Sequence, residues 1–153
     1  MSGTVEAKLA TLGITVPVAN PPVANYVPTV ISGNQLWISG QIAAADGKPI
    51  TGRLSSAADI EHGQAAARAC AINLMAQMKA ALGDLDRVKR VVKLVAFVNS
   101  APDFTDQPKV VNGASDLFVE AFGDAGRHAR SAVGVAALPM NVSVEIDAVV
   151  EFV

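Results

Sequence analysis

The 153-residue chain, 51% hydrophobic, is long enough to bury one sizeable core. Charged residues or prolines interrupt every stretch that could span a bilayer, so we expect no membrane segment. The net charge of -2 and the scattered basic residues disfavour a nucleic-acid partner. The single cysteine, Cys70, cannot form an internal disulfide and no secretory signal is visible, so we expect a cytoplasmic location.

The first 25 residues predict a short helix followed by a proline-rich arm. Apolar residues at helical spacing favour a helix over residues 4–12, which Gly13 would end. The prolines that follow favour an extended connection rather than further helix. We therefore divide the chain into an arm, residues 1–25, and a single α+β domain, residues 26–153.

Two strand-like runs open this domain, at residues 26–32 and 35–41. Between them lies Gly33-Asn34, a pair that favours a two-residue turn, so the runs predict an antiparallel hairpin. Proline cannot donate a hydrogen bond within a sheet. Pro28 therefore indicates that the first strand is an edge strand there or begins after it.

The middle of the domain predicts a helix, a buried strand and a second helix. Small and apolar residues recur at helical spacing over residues 57–82, which predicts a long helix. Residues 88–99 are rich in β-branched residues and are largely apolar on both faces from Val91 on, which indicates a strand inside a sheet. The second helix is predicted to begin at Gln107 or Pro108 and to end at residue 122.

Residues 127–153 carry the most regular pattern of the chain. Two alternating runs flank Leu138-Pro139-Met140-Asn141, where proline and asparagine favour a turn, so this region predicts a β-hairpin. In that hairpin, position i faces position 279 minus i, and facing residues share a side of the sheet. One side is apolar. The other side sets charges among small residues and comprises His128, Arg130, Ala132, Gly134, Glu145, Asp147 and Glu151.

The predicted hairpin register separates its two most conspicuous charges. Arg130 faces position 149, so Glu145 lies about 13 Å along the neighbouring strand. One small substrate does not bridge that distance comfortably. A site that uses both residues would need two chains, or a bulge that shortens the gap.

The order strand, strand, helix, strand, helix, strand, strand predicts a two-layer α+β fold with both helices on one face of the sheet. The opposite face is left partly apolar and partly charged. Large apolar patches rarely stay exposed in a monomer, so we expect another subunit to cover this face.

Several short motifs resemble those of one known family: Ser39-Gly40-Gln41, Asn112, Arg130-Ser131-Ala132-Val133, Leu138-Pro139 and Val144-Glu145-Ile146. From about Tyr26 to its end the chain resembles the reactive-intermediate deaminase family, also called Rid or YjgF and formerly endoribonuclease L-PSP. No single motif would suffice, but the last three at this spacing are fairly specific together. Residues 113–117 and 128–130 are similar to a branch whose members carry an N-terminal helix.

The resemblance implies a chorismate-mutase-like subunit, assembled as a homotrimer with a ligand cleft at each interface. It also implies hydrolysis of enamine and imine intermediates such as 2-aminoacrylate to a 2-oxo acid and ammonia, with no metal or cofactor. By position, Arg130 would bind the substrate carboxylate and Glu145 would orient or activate water. The substrate-binding positions would be Tyr26, Ser39, Gly40, Asn112 and Ala132.

These residue types suit that chemistry. A guanidinium binds a carboxylate through two parallel hydrogen bonds and stays charged at any working pH. A carboxylate in a partly desolvated cleft can exchange protons near neutrality, as hydration of an imine requires. Ala132 departs from well-studied members, which have a cysteine there. Relative to the best-known members of the family, this chain also has one additional residue between Asn112 and Arg130.

Three classes of function stay open at this point. The first is the imine or enamine deaminase. The second is a non-catalytic, regulatory trimer that binds small carboxylates, which Arg130 would serve equally well. The third is a ribonuclease, which the acidic pI of 5.6 and the lack of a histidine pair disfavour. We expect His128 to be exposed or hydrogen-bonded rather than a general base.

Overall fold

The computed structural model describes residues 3–153. Its helices and strands follow one another as α1 (Thr4–Thr11), β1 (Thr29–Ser32), β2 (Gln35–Ile42), β3 (Ala44–Ala45), β4 (Lys48–Pro49), α2 (Ile60–Leu82), β5 (Val88–Asn99), α3 (Gln107–Phe122), β6 (Ala129–Val135) and β7 (Val144–Phe152). A short 3-10 turn, Ala57–Asp59, leads into α2. The predicted N-terminal helix, long helix, internal strand and second helix are confirmed, and β1 begins after Pro28.

Five strands form one mixed sheet in the order β1-β2-β7-β5-β6, and β3 pairs with β4 beside it. Strands β5 and β6 are parallel, whereas the other neighbouring pairs are antiparallel. The two long helices, α2 and α3, pack on one face of the sheet. The two-layer α+β architecture is therefore confirmed.

The core lies between this sheet and α2 and α3. Alternate residues of β7, such as Ile146 and Ala148, are buried beneath the helices. Cys70 of α2 is fully buried there, and its Sγ lies 3.4 Å from the carbonyl oxygen of Val144. Burial raises the pKa of the Cys70 thiol, so the thiolate is disfavoured. Cys70 is a packed side chain of the core.

The N-terminal helix is tied to the rest of the fold. Leu9 of α1 is fully buried and belongs to the same core cluster as the sheet residues. The N–H groups of Thr4 and Val5 donate to the two carboxylate oxygens of Asp86, at 2.7 and 2.8 Å. Asp86, which precedes β5, thus satisfies backbone donors at the start of a distant helix.

The predicted hairpin over residues 127–153 is wrong, because β5 lies between β6 and β7. Arg130 of β6 pairs with Leu94 of β5, and Glu145 of β7 pairs with Phe97 of β5. Strand β5 is largely apolar on both faces and takes a partner along each edge. Helix α3 provides the crossover that a parallel pair requires, so β6 returns alongside β5.

The turn that motivated the hairpin prediction instead crosses the end of β5. The buried amide of Asn99, at the last position of β5, donates to the Asn141 side chain and to the carbonyl of Val142, both at 3.1 Å. Met140 and Asn141 both have a φ of 56°. The turn is real, but it connects two strands that do not pair.

The observed register also corrects the assignment of faces. Arg130 shares a face with buried Leu94, under the helices, whereas Glu145 and Asp147 lie on the open face. Two strand spacings and three residue rises separate Arg130 from Glu145, or about 14 Å between Cα atoms. The two predicted catalytic residues of one chain therefore lie on opposite sides of its sheet.

No helix within residues 3–153 is both long enough and apolar enough to cross a membrane.

Candidate functional site

The predicted site residues form two groups on opposite faces of the sheet. One, called here the arginine cluster, comprises Asn112, Ser115, His128 and Arg130. The other, called the carboxylate cluster, comprises Ser39, Gly40, Glu145 and Asp147. The hairpin prediction placed Arg130 and Glu145 on one face, whereas the structure places them in different clusters on opposite faces.

Helix α3 holds the guanidinium of Arg130. Nη1 donates to Asn112 Oδ1 at 2.9 Å and to Ser115 Oγ at 3.1 Å, and Nη2 donates to the carbonyl oxygen of Pro108 at 3.2 Å. Asn112 therefore contacts Arg130 despite the one-residue insertion. Ala132, two residues further along β6, packs against the core on the same side.

One edge of the Arg130 guanidinium keeps unused donors. A guanidinium has five N–H groups, and three of them are directed at α3. Nε–H and one Nη2–H have no acceptor among residues 3–153, and Arg130 forms no ion pair within that range. Nε and Nη2 form one edge of the plane, a geometry that binds a carboxylate through two hydrogen bonds.

His128 is a hydrogen-bonded residue of the arginine cluster. Its Nδ1 lies 2.7 Å from the Gly126 carbonyl oxygen, and its Nε2 lies 2.9 Å from Ser115 Oγ. Burial lowers the pKa of His128, and the positive charge of Arg130 lowers it further. These two effects favour the neutral ring, although the hydrogen bond to Gly126 acts in the opposite sense. In the neutral ring Nδ1 carries the proton, because the Gly126 carbonyl can only accept.

A β-bulge shapes the carboxylate cluster. Ser39 and Gly40 of β2 together oppose Asp147 of β7, so β2 carries one extra residue at this point. The Ser39 hydroxyl donates to the carbonyl of Val27 at 2.9 Å, which holds the segment before β1 against β2. Tyr26, half exposed, lies on that segment beside the bulge.

Gly40 leaves room for the carboxylate of Glu145. A Cβ at position 40 would lie 2.8 Å from Glu145 Oε2 and 3.0 Å from its Cδ, which is closer than such contacts allow. Only glycine lets the Glu145 side chain rest where it does. This explains physically why glycine belongs beside Ser39 in the site.

Glu145 and Asp147 are half-buried acids without a cationic partner among the described residues. Neither forms an ion pair with any of residues 3–153. Burial raises the pKa of Glu145, and the negative charge of Asp147 raises it further; burial also raises the pKa of Asp147. This upward shift increases the proton affinity of Glu145, as a group that exchanges protons requires.

Sequence reasoning missed the parts played by Ser115 and Asp147. Ser115 lies within residues 113–117, which carry part of the family resemblance. Its contacts, however, are with His128 and Arg130, which lie 13 and 15 positions later in the chain. Asp147 shares a strand face with Glu145, a signal that the alternation of β7 does contain. The contacts of His128 depend on the packing of α3 and could not be found from spacing.

Comparison with known sequences identifies the family. Residues 6–151 match the YjgF and chorismate-mutase-like family, which is also named for an endoribonuclease. Protein TCP17 of Trypanosoma cruzi is 58% identical and aligns over 98% of this chain and 95% of its own length. A 2-iminobutanoate/2-iminopropanoate deaminase of Dermatophagoides farinae is 30% identical, over 90% of this chain and 93% of its own.

Solved structures agree with that assignment. Atu1372 of Agrobacterium tumefaciens, a protein of unknown function, is 51% identical with a TM-score of 0.90, over 97% of this chain and 93% of its own. E. coli TdcF, solved with bound serine, is 27% identical with a TM-score of 0.62, over 88% of this chain and 94% of its own. The fold and the clusters thus define a chorismate-mutase-like α+β protein. The chain belongs to the YjgF family, and one of its relatives, that of Dermatophagoides farinae, is named an imine deaminase.

A double-mutant cycle tests the contact between Gly40 and Glu145. Gly40→Ala should lower the free energy of unfolding by about 1 kcal/mol, because the new methyl group displaces the Glu145 carboxylate. In a Glu145→Ala background the same substitution should cost nearly nothing. Chemical denaturation of all four proteins measures this coupling. Equal penalties in both backgrounds would contradict the steric role of Gly40.

Proposed function

We propose that this protein is a homotrimer that hydrolyses reactive enamine and imine intermediates, of the 2-aminoacrylate type, to 2-oxo acids and ammonia. The observation that carries this proposal is the preset guanidinium of Arg130, with two N–H donors on one edge left for a carboxylate. The deaminase name of a relative that aligns along nearly the whole chain supports the reaction class. The serine bound by TdcF supports a small amino-acid-derived ligand.

In this proposal Arg130 binds the substrate carboxylate and so fixes the position of the adjacent carbon. Glu145 takes a proton from water as the water oxygen bonds to the imine carbon. That proton passes to the nitrogen to give a carbinolamine. The proton of its hydroxyl group is then transferred through Glu145 to the amine, the carbon–nitrogen bond breaks, and ammonia leaves as the oxygen becomes the carbonyl of the oxo acid. The raised pKa of Glu145 favours both proton transfers. The cleft is lined by Tyr26, Ser39, Gly40, Asn112 and Ala132.

The site is completed between subunits. Within one chain Arg130 and Glu145 lie on opposite faces, about 14 Å apart, so one small substrate does not reach both. The open face carries exposed Val30, Trp37 and Val133 next to the unpaired carboxylates. A second copy that covers this face could bring its Arg130 to Glu145. We also propose that the protein is cytoplasmic, as its single cysteine leads us to expect.

A non-catalytic trimer that binds small carboxylates is the second candidate. The observation that favours it is that Glu145 has no hydrogen-bonding partner among residues 3–153 to orient it. Arg130 would serve binding and turnover equally well. A direct assay of turnover separates the two functions.

The deaminase assay uses 2-aminoacrylate generated from L-serine by a dehydratase. We expect the protein to speed the release of oxo acid and ammonia above the uncatalysed rate. Arg130→Ala should lower kcat/KM by about 100-fold, because a charged, two-point contact is lost. Arg130→Lys should be intermediate, since lysine keeps the charge without the planar fork. An unchanged rate with wild-type protein would favour the binding function.

Mixed trimers test the shared site. Chains with Arg130→Ala and chains with Glu145→Ala, given different tags, are co-expressed and the mixed assemblies purified. Each mixed trimer should contain one intact site and so recover about one third of wild-type activity. The two separate homotrimers serve as inactive controls. Mixed trimers as inactive as these controls would show that the two residues do not share a site across an interface.

The pH dependence follows from the raised pKa of Glu145. Glu145 must be ionised to accept a proton, so kcat/KM should rise with pH through a pKa above the ordinary range for glutamate. Asp147→Asn removes a neighbouring negative charge, lowers the pKa of Glu145 and should move this limb to lower pH. Asp116→Asn, on the exposed side of α3, is the control. A limb that stays in place in Asp147→Asn would contradict the electrostatic coupling.

A further inference from the structure

We propose that Ser115 and His128 are positioning residues that fix the carboxylate-binding edge of Arg130. This inference rests on the proposed function, because it concerns how the guanidinium of Arg130, the proposed carboxylate-binding group, is held in place. The contacts themselves are a property of the unliganded subunit. They can therefore be tested whether or not the protein turns over a substrate.

The hydrogen bonds are donated in one direction, from Arg130 through Ser115 and His128 to the backbone carbonyl of Gly126. The Gly126 carbonyl accepts from Nδ1 of His128, so Nε2 of the neutral ring carries a lone pair. The Ser115 hydroxyl donates its only hydrogen to that lone pair, across 2.9 Å. A lone pair of Ser115 Oγ is thereby left to accept from Nη1 of Arg130, across 3.1 Å.

His128 determines the direction of the Ser115 hydroxyl, because a serine in a helix can also donate its hydrogen to a backbone carbonyl of the same helix. The hydroxyl of Ser115 can turn to the carbonyl four residues back in α3, that of Val111, as serine often does within helices. The lone pair of His128 Nε2 competes for the same hydrogen and keeps the hydroxyl turned towards β6. The ring itself is set edge-on against Phe118, with centroids 6.0 Å apart.

Of the two side chains that accept from Arg130, Ser115 is the one that a further side-chain hydrogen bond fixes among residues 3–153. Asn112 is exposed, and the Pro108 carbonyl makes the longest of the contacts, at 3.2 Å. An arginine side chain on an edge strand has many rotamers, and ordering it has an entropic cost. Loss of the Ser115 contact should let Arg130 sample other rotamers and weaken its hold on a carboxylate.

The test compares His128→Leu, His128→Gln and Ser115→Ala in the intact protein. Leucine keeps apolar packing against Phe118 but accepts no hydrogen bond, whereas the glutamine Oε1 can replace Nε2 as acceptor. We expect a resolved Arg130 Nε–H signal in nitrogen-15 NMR spectra of wild-type and His128→Gln proteins. The signal should broaden or shift to the free-arginine position in His128→Leu and Ser115→Ala.

Binding of 2-oxobutanoate, followed by calorimetry, gives the second readout. Its Kd should rise about tenfold in His128→Leu and in Ser115→Ala, no further in the double variant, and less than about twofold in His128→Gln. The uncharged amide of the same acid is the control, and its weak binding should not change.

Either of two results would overturn the proposal: an Arg130 signal and Kd unchanged in folded Ser115→Ala, or equal effects of leucine and glutamine at position 128. The outcome is independent of the deaminase assay. The wild-type protein and the variants could show the expected differences in Kd for 2-oxobutanoate while the wild-type protein does not hydrolyse 2-aminoacrylate. That result would contradict the proposed function but support the positioning role of Ser115 and His128.

Discussion

The arrangement of the whole subunit depends on the position of β5, which forms hydrogen bonds with a neighbouring strand along each of its edges. From Val91 on this strand is largely apolar on both faces, which favours a position inside the sheet rather than at its edge. It takes β7 along one edge and β6 along the other. That insertion turns Arg130 towards α3 and leaves Glu145 on the open face. A chain in which β6 and β7 paired directly would have set both charges on one face.

Local patterns predicted most of the elements and failed at their pairing. The helices α2 and α3 follow from apolar spacing, and β5 follows from its β-branched run, because these signals lie within single segments. The hairpin prediction relied on Pro139 and Asn141, which do form a turn. Whether the flanking strands pair is decided elsewhere in the chain, by β5 and by the crossover through α3. Turn-forming residues predict where the backbone changes direction. They do not predict which strands pair on either side of the turn.

The same division applies to the candidate site. Motif resemblance identified Arg130, Glu145, Ser39 and Gly40, because each stands within a short characteristic run. What supports them could not be read from spacing. The contact of Ser115 with His128 links α3 to the residue before β6, and the bulge at Ser39 exists only in relation to β7. Geometry of this kind arises between segments that meet only in the folded chain.

The contact between Asp86 and α1 has a consequence for the order of events during synthesis. Helix α1 has eight residues, too few to be stable alone in water. The carboxylate that accepts from its first N–H groups lies 82 positions later in the chain. Helix α1 therefore lacks these two hydrogen bonds until the segment before β5 has been synthesised, although its own residues leave the ribosome earlier.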